Sequence, residues 1–152
     1  MKIKKMNNIE FLPITKDAAG ELAKLDAECF SVPWSEKAFH DDANNPLAHY
    51  VLCYADKKLC GYGGMYKVVD EGQITNIAVV NKYRRCGIAS AILDKLKEYA
   101  RDNKMSVLSL EVRESNHAAI GLYQKAGFEK VGFRKNYYHN PTEGAILMDL
   151  AL

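Results

Sequence analysis

Residues 73–113 read QITNIAVVNKYRRCGIASAILDKLKEYARDNKMSVLSLEVR and contain three successive elements. Gln73–Val80 is rich in β-branched residues and predicts a strand. Apolar residues then recur every fourth position (Ile88, Ile92, Leu96, Ala100), which predicts a helix over Ile88–Asp102. Val107–Arg113 alternates, with Leu108, Leu110 and Val112 on one side and Glu111 on the other, and predicts a second strand.

These three elements form a β-α-β crossover. A helix of about 22 Å can return the chain alongside a strand of about 23 Å. Such a crossover is right-handed and makes its two strands parallel. The hairpins predicted on either side are antiparallel, so the sheet is mixed. The fold class is therefore α/β (α+β), with helices flanking a central sheet in three layers.

The flanking sequence predicts further strands and helices. The predicted strands are Asn7–Thr15, His49–Tyr54, Leu59–Tyr66, Phe128–Phe133 and Ala145–Leu150, with residues 56–58 as a hairpin turn. The first predicted helix is Asp17–Phe30. A short second helix is capped by Ser35 and ended by residues 44–46. The last predicted helix runs from Asn116 to about Ala126, with Ser115 as its N-cap and Gly127 as its C-terminal stop.

Length and composition exclude several classes of protein. A chain of 152 residues without repeats predicts one domain over residues 1–152. A net charge of +2 argues against nucleic-acid binding, and the longest apolar run, six residues, is too short for a membrane span. The four cysteines have no zinc spacing, and the first residues lack a signal-peptide core. We expect free thiols, no metal, no membrane partner and a cytoplasmic location.

The loop Arg84-Arg85-Cys86-Gly87 precedes the central helix. Gly87 allows close backbone approach to a ligand, and the helix N-terminus together with two arginines favours an anion. Spacing alone leaves two interpretations open, a phosphate-binding loop or a charged turn that contains a glycine.

Three side chains near this loop could take part in chemistry. Glu111 could act as a general base at the mouth of a cleft, or be a solvated surface carboxylate. Asn116 and Tyr123 are seven residues apart and share one helical stripe, with small Ala119 between them. In isolation, Tyr123 is better explained as a core tyrosine.

Together these segments resemble the GNAT acetyltransferase superfamily. The loop Arg84–Ala89 fits the acetyl-CoA motif [QR]-x-x-G-x-[GA]. More specific segments resemble the bacterial branch that acetylates the N-terminal alanine of a small-subunit ribosomal protein: residues 29–35 (CFSVPWS), 110–116 (LEVRESN), 119–128 (AIGLYQKAGF) and 134–138 (RKNYY).

The resemblance implies an acetyl-CoA-dependent protein N-terminal acetyltransferase with a GNAT fold, a ribosomal protein as partner and no metal. It implies Glu111 as the general base and Tyr123 as the general acid. The implied cofactor-binding residues are Ile77, Ala78 and Val79 for the pantetheine arm, Arg85, Cys86, Gly87, Ile88, Ala89 and Ser90 for the pyrophosphate, and Asn116. It also implies that the Val79 N–H holds the oxyanion.

Two positions depart from the pattern. Asn81 stands where relatives often have proline, and Glu143-Gly144-Ala145 replaces the commoner Glu-Asp-Ala before the last strand.

Two other functions remain open, acetylation of a small-molecule amine and non-catalytic binding of acyl-CoA. The presence of both Glu111 and Tyr123 argues against the second, because binding alone requires neither.

Overall fold

A computed structural model describes residues 8–152. In chain order its elements are β1 (Ile9–Leu12), α1 (Ala19–Cys29), α2 (Glu36–Ala43), β2 (Ala48–Ala55), β3 (Lys58–Val68), β4 (Glu71–Val79), α3 (Ile88–Asp102), β5 (Val107–Arg113), α4 (His117–Lys125), β6 (Glu129–Tyr138) and β7 (Glu143–Ala151). Short 3-10 turns lie at Lys16–Ala18 and Asn81–Tyr83.

Across residues 8–152 the strands form one seven-stranded sheet in the order β1-β2-β3-β4-β5-β7-β6. β4 and β5 pair in parallel, as the crossover predicted, and each other neighbouring pair is antiparallel. The mixed α/β fold class is confirmed.

Each face of the sheet has its own apolar core. α3 and α4 cover one face, where α3 buries the predicted stripe Ile88, Ile92, Leu96 and Ala100. α1 and α2 cover the other face, with Leu22, Leu25 and Phe39 buried. The predicted three layers are thus present. No helix within residues 8–152 is long and apolar enough to cross a bilayer.

The structure corrects several predicted boundaries. β1 covers Ile9–Leu12 within the predicted Asn7–Thr15, of which Asn7 lies outside the described residues. The hairpin turn is the pair Asp56-Lys57, both with positive φ, and Lys58 begins β3. β6 continues to Tyr138, ten residues rather than six, because an edge strand with most residues exposed lacks the alternation that marks a half-buried strand.

The cap predicted for the last helix was wrong by one residue. Asn116, not Ser115, is the N-cap of α4, and its side-chain oxygen accepts from the Ala119 N–H at 3.2 Å. The Ser115 N–H instead donates to Glu143 Oε1 at 3.0 Å. The Ser35 cap of α2 is confirmed, because Ser35 Oγ accepts from the Ala38 N–H at 3.1 Å.

Candidate active site

The parallel strands β4 and β5 separate along their length. Their pairing joins Glu71–Gln73 to Val107–Ser109 and ends there, although β4 continues to Val79 and β5 to Arg113. The register of β4 against β3 also shifts between Gly64 and Met65, which leaves Thr75 as an extra residue. The carboxyl halves of β4 and β5 therefore border a gap in the middle of the sheet.

On one side of the sheet this gap opens into a cavity of about 730 Å³. Its floor includes Glu111 on β5 and Asn76 on β4. Glu111 belongs to the partly exposed face of β5, whereas Leu110 and Val112 on the opposite face are buried. The alternation that predicted the placement of Glu111 is therefore confirmed. Its role as a base stays a prediction.

Two tyrosines at the end of β6, Tyr137 and Tyr138, line the cavity together with Glu111. Interaction with the Glu111 carboxylate, chiefly through hydrogen bonding, raises the pKa of Tyr137 above its ordinary value. Burial raises the pKa of the neighbouring Tyr138 to about 12, with the Glu111 charge adding to the shift. Both phenols are neutral at physiological pH and can donate hydrogen bonds into the cavity.

The rest of the wall comes from the loop between α1 and α2, whose Phe30, Val32 and Trp34 line the cavity. Two buried carboxylates hold this loop and its helices. Asp26 accepts from the Trp34 N–H at 2.8 Å and the Tyr62 hydroxyl at 2.5 Å. Burial, first among its causes, raises the pKa of Asp26.

Asp42 on α2 is the second of these carboxylates. It accepts from the hydroxyls of Tyr50 and Tyr66, and Trp34 stacks on the Tyr66 ring at 6.5 Å. No site role was predicted for these wall residues, nor for Tyr137 and Tyr138. The available signal was the aromatic residues at the end of the predicted helix Asp17–Phe30 and beyond it, and those that follow the predicted strand Phe128–Phe133.

A separate groove of about 320 Å³ lies between the start of α3 and α4. It is lined by Arg85, Gly87, Ala89 and Ser90 from the loop and by His117, Ala118, Gly121, Leu122 and Lys125 from α4. Gly87 is the N-cap of α3 with φ +84°, and Arg85 also has a positive φ of 61°. The backbone at Gly87 thus takes the left-handed conformation that glycine adopts without a steric penalty.

The remaining loop residues point back toward the protein. Arg84 Nε donates to the Val79 carbonyl at 2.9 Å, and the Cys86 thiol donates to the Arg84 carbonyl at 3.5 Å. The Ile88 side chain is buried in the core, so only its backbone can reach a ligand. The first N–H groups of a helix have no intrahelical acceptor and are directed out of the N-terminus.

The β4 residues predicted to contact a cofactor arm border the gap. Ile77, Ala78 and Val79 pair with Gly63, Tyr62 and Gly61 on the β3 side, and lie beyond the point where pairing to β5 ends. The side chains of Ala78 and Val79 are buried, so their backbone is what faces the gap. Asn116 stands at the start of α4, where its oxygen is engaged in capping and its amide N–H groups remain as donors.

Tyr123 is the least accessible of the predicted site residues. It is 6% exposed, packs edge-on against Phe128 and belongs to the α3–α4 core. It lines neither the cavity nor the groove. Burial raises the pKa of Tyr123, and the Tyr138 phenol adds to the shift.

These features fit an acetyl-CoA molecule. The groove beside a glycine with positive φ and Arg85 suits a pyrophosphate. A Cβ added at Gly121, in the middle of α4, would meet nothing within 4 Å, so the groove is open at its centre. The backbone of β4 beyond Gln73 can receive an extended amide-containing arm as a strand would.

Comparisons with known proteins identify the family of this chain. The model of the Acetyltransferase (GNAT) family matches residues 19–128, and the chain belongs to this family of acetyl-CoA-dependent acetyltransferases. The ribosomal protein bS18-alanine N-acetyltransferase of Escherichia coli (strain K12) is 36% identical over 151 residues, which cover 97% of this chain and 99% of that protein.

Solved structures show the same fold. The crystal structure of the ribosomal-protein-S18-alanine N-acetyltransferase from Escherichia coli superposes with a TM-score of 0.88 at 29% identity, covering 95% of this chain and 94% of that chain. The structure of Arabidopsis thaliana NAA60 in complex with acetyl-CoA has a TM-score of 0.88 at 19% identity, covering 95% of this chain and 99% of that chain.

Proposed function

We propose that this protein transfers the acetyl group of acetyl-CoA to the N-terminal α-amine of a protein, with the N-terminal alanine of ribosomal protein bS18 as its substrate. The observation that carries the proposal is the position of Glu111, at the gap between β4 and β5 and on the floor of the open 730 Å³ cavity. End-to-end similarity to a bS18-alanine N-acetyltransferase supports the choice of substrate. A ribosomal substrate agrees with the cytoplasmic location that the sequence predicts.

Glu111 prepares the nucleophile in this proposal. An amine attacks a carbonyl carbon only in its neutral form, so a base must remove its proton, directly or through one water. The acceptor amine enters from the 730 Å³ cavity, and the Glu111 carboxylate takes the proton. Tyr137, which lines the cavity beside Glu111, orients the carboxylate.

Val79 and Tyr123 act on the thioester. The bound acetyl-CoA supplies an activated carbonyl and a thiolate leaving group. The Val79 N–H, at the end of β4, stabilises the oxyanion that forms as the amine attacks. Tyr123 protonates the departing thiolate. Because burial raises the pKa of Tyr123, its hydroxyl keeps its proton at neutral pH and can donate that proton to the charge that develops on sulfur.

Acetyl transfer to a panel of acceptors tests the proposal. The acceptors are a peptide with the N-terminal sequence of bS18, the same peptide with a blocked α-amine and an internal lysine, and a polyamine. Mass spectrometry should locate one acetyl group on the α-amine of the first peptide. Preferential acetylation of the polyamine would establish the small-molecule alternative, and binding of acetyl-CoA without any transfer would establish a non-catalytic module.

A further inference from the structure

Arg113, the last residue of β5, binds the turn that joins β6 to β7. Its Nη1 donates to the Pro141 carbonyl at 2.8 Å and to Glu143 Oε2 at 3.0 Å, and its Nη2 donates to the His139 carbonyl at 2.7 Å. The guanidinium also lies 4.5 Å from the centre of the Tyr138 ring. One planar cation thus contacts four residues of the turn, a geometry that lysine cannot reproduce.

Glu143 completes this arrangement from the other side. Its Oε2 accepts from Arg113, and its Oε1 accepts from the Ser115 N–H at 3.0 Å. The bond from Ser115, followed by the bond and charge of Arg113, lowers the pKa of Glu143. The two charged side chains are 23% and 12% exposed, so solvent screens them less than a surface pair. We refer to Arg113, Ser115 and Glu143 as the clasp.

The turn held by the clasp carries the tyrosines above Glu111. Between Arg134 and Tyr138 the register of β6 against β7 is interrupted, and Asn136 has a positive φ of 54°. Tyr137 therefore lies in a segment where the sheet ladder does not fix the backbone. Tyr138, which pairs with Glu143, packs edge-on against Tyr137 with ring centres 5.0 Å apart.

We propose that Arg113 is a positioning residue for the acceptor side of the reaction. It holds the β6–β7 turn so that Tyr137 stays beside Glu111 in the lining of the cavity and the mouth of the cavity keeps its shape. Arg113 acts through these tyrosines, because its guanidinium is engaged by the turn and its charge is paired with Glu143. This inference rests on the proposed function, in which Glu111 is the base.

The placement separates this role from cofactor binding. Arg113 lines the 730 Å³ cavity and is not among the residues of the groove beside Gly87. Loss of the clasp should therefore alter the use of the acceptor and leave binding of acetyl-CoA unchanged. A general loss of folding would weaken both.

Steady-state kinetics of Arg113→Lys and Glu143→Gln test the inference. Arg113→Lys keeps the charge but has one nitrogen for three acceptors, so we expect kcat/KM for the acceptor peptide to fall about 10–100-fold through misplacement of the tyrosines. Glu143→Gln keeps the shape and should act in the same direction with a smaller effect. The dissociation constant of acetyl-CoA should stay within about twofold. Arg101→Lys, exposed in the last turn of α3, is the matched control.

Hydrogen exchange of the ligand-free variants supplies a readout that does not depend on activity. In Arg113→Lys, amides of residues 136–142 should exchange faster than in the wild type, while the α3 amides should not change. Unchanged exchange in the turn, or faster exchange with unchanged acceptor kinetics, would overturn the inference. If the wild-type protein acetylates only a small amine, the proposed function is wrong. Steady-state kinetics of Arg113→Lys and Glu143→Gln with that amine as the acceptor then test the role of Arg113.

Discussion

Glu111 owes its position to the alternation of a single strand. Leu110 and Val112 are buried on one face of β5, which forces the intervening Glu111 side chain onto the face that borders the cavity. Within residues 8–152, neither ion pair involves Glu111, because Lys37 pairs with Asp41 and Arg113 pairs with Glu143. The carboxylate is thus kept available for a proton from the acceptor.

The Glu111→Gln variant keeps the shape of the side chain but cannot accept a proton. Turnover at pH 7 should fall about 10²–10⁴-fold. Raising the pH should restore part of the rate, because solvent then deprotonates the acceptor. An α-amine has a pKa of about 7.7–8.0 and a lysine side chain about 10.4. Rescue that levels off soon above pH 8 therefore indicates an N-terminal acceptor, and rescue that rises toward pH 10 indicates lysine.

The matched control for this measurement is Glu114→Gln. Glu114 follows three residues later in the same segment and is exposed, so its loss should leave turnover unchanged. Wild-type turnover in Glu111→Gln at pH 7 would exclude Glu111 as the base.

Gly87 determines the backbone conformation at the start of α3. At φ +84° a residue with a β-branched side chain is strained by about 1–2 kcal/mol or moves the loop. Gly87→Val should therefore weaken acetyl-CoA binding about 5–30-fold or more in calorimetry. Gly132→Ala, where an added Cβ would lie 3.8 Å from the nearest atom, should bind normally. Unchanged affinity in Gly87→Val would remove this loop from the cofactor site.

At the scale of the element, the stability of α4 and the open groove beside it favour different residues at position 121. Gly121 lies in the middle of the helix, where glycine is less favourable than alanine by about 0.5–1 kcal/mol. An added Cβ would meet nothing within 4 Å, so the fold itself does not require the glycine. Gly121 does line the groove beside Gly87. The glycine is thus best explained by the ligand.

Gly121→Ala should consequently stabilise the protein and weaken its binding of acetyl-CoA. The free energy of unfolding should rise by about 0.5–1 kcal/mol in denaturant titrations, while calorimetry shows a larger dissociation constant. Ala118→Gly, at another groove position on α4, is the matched control and should lower stability without adding atoms to the groove. Tighter binding in Gly121→Ala would place the cofactor elsewhere.

At the scale of the whole molecule, the sheet and α3 approach each other closely. A Cβ at Gly63 on β3 would lie 2.5 Å from Ile92 Cγ2 and 3.1 Å from Leu96 Cδ1. Both side chains are fully buried, so they cannot turn away into solvent. The contact between β3 and α3 therefore requires a residue without a side chain at this position.

Gly63→Ala should destabilise the fold by about 1–3 kcal/mol through overpacking of this core. Denaturant unfolding measures the loss, and Gly132→Ala, with its nearest neighbour at 3.8 Å, should change stability far less. Equal stability of the two variants would show that α3 can shift away from the sheet without cost.

Local patterns in the sequence determined much of this fold. The four-residue spacing from Ile88 to Ala100 and the alternation in Val107–Arg113 predicted α3 and β5 with their bounds, since each reports which face of a single element is buried. The left-handed conformation of Gly87 at the start of α3 is likewise a local property, because backbone sterics act within one residue.

The tertiary structure decided the features that depend on distant parts of the chain. The gap between β4 and β5 arises where pairing stops after Gln73, although the composition of β4 does not change there. Tyr137 and Glu111 line the same cavity although β7 lies between their strands in the sheet. Periodicity records burial along one element, but it carries no information about which elements become neighbours, and the cavity around Glu111 is formed by such neighbours.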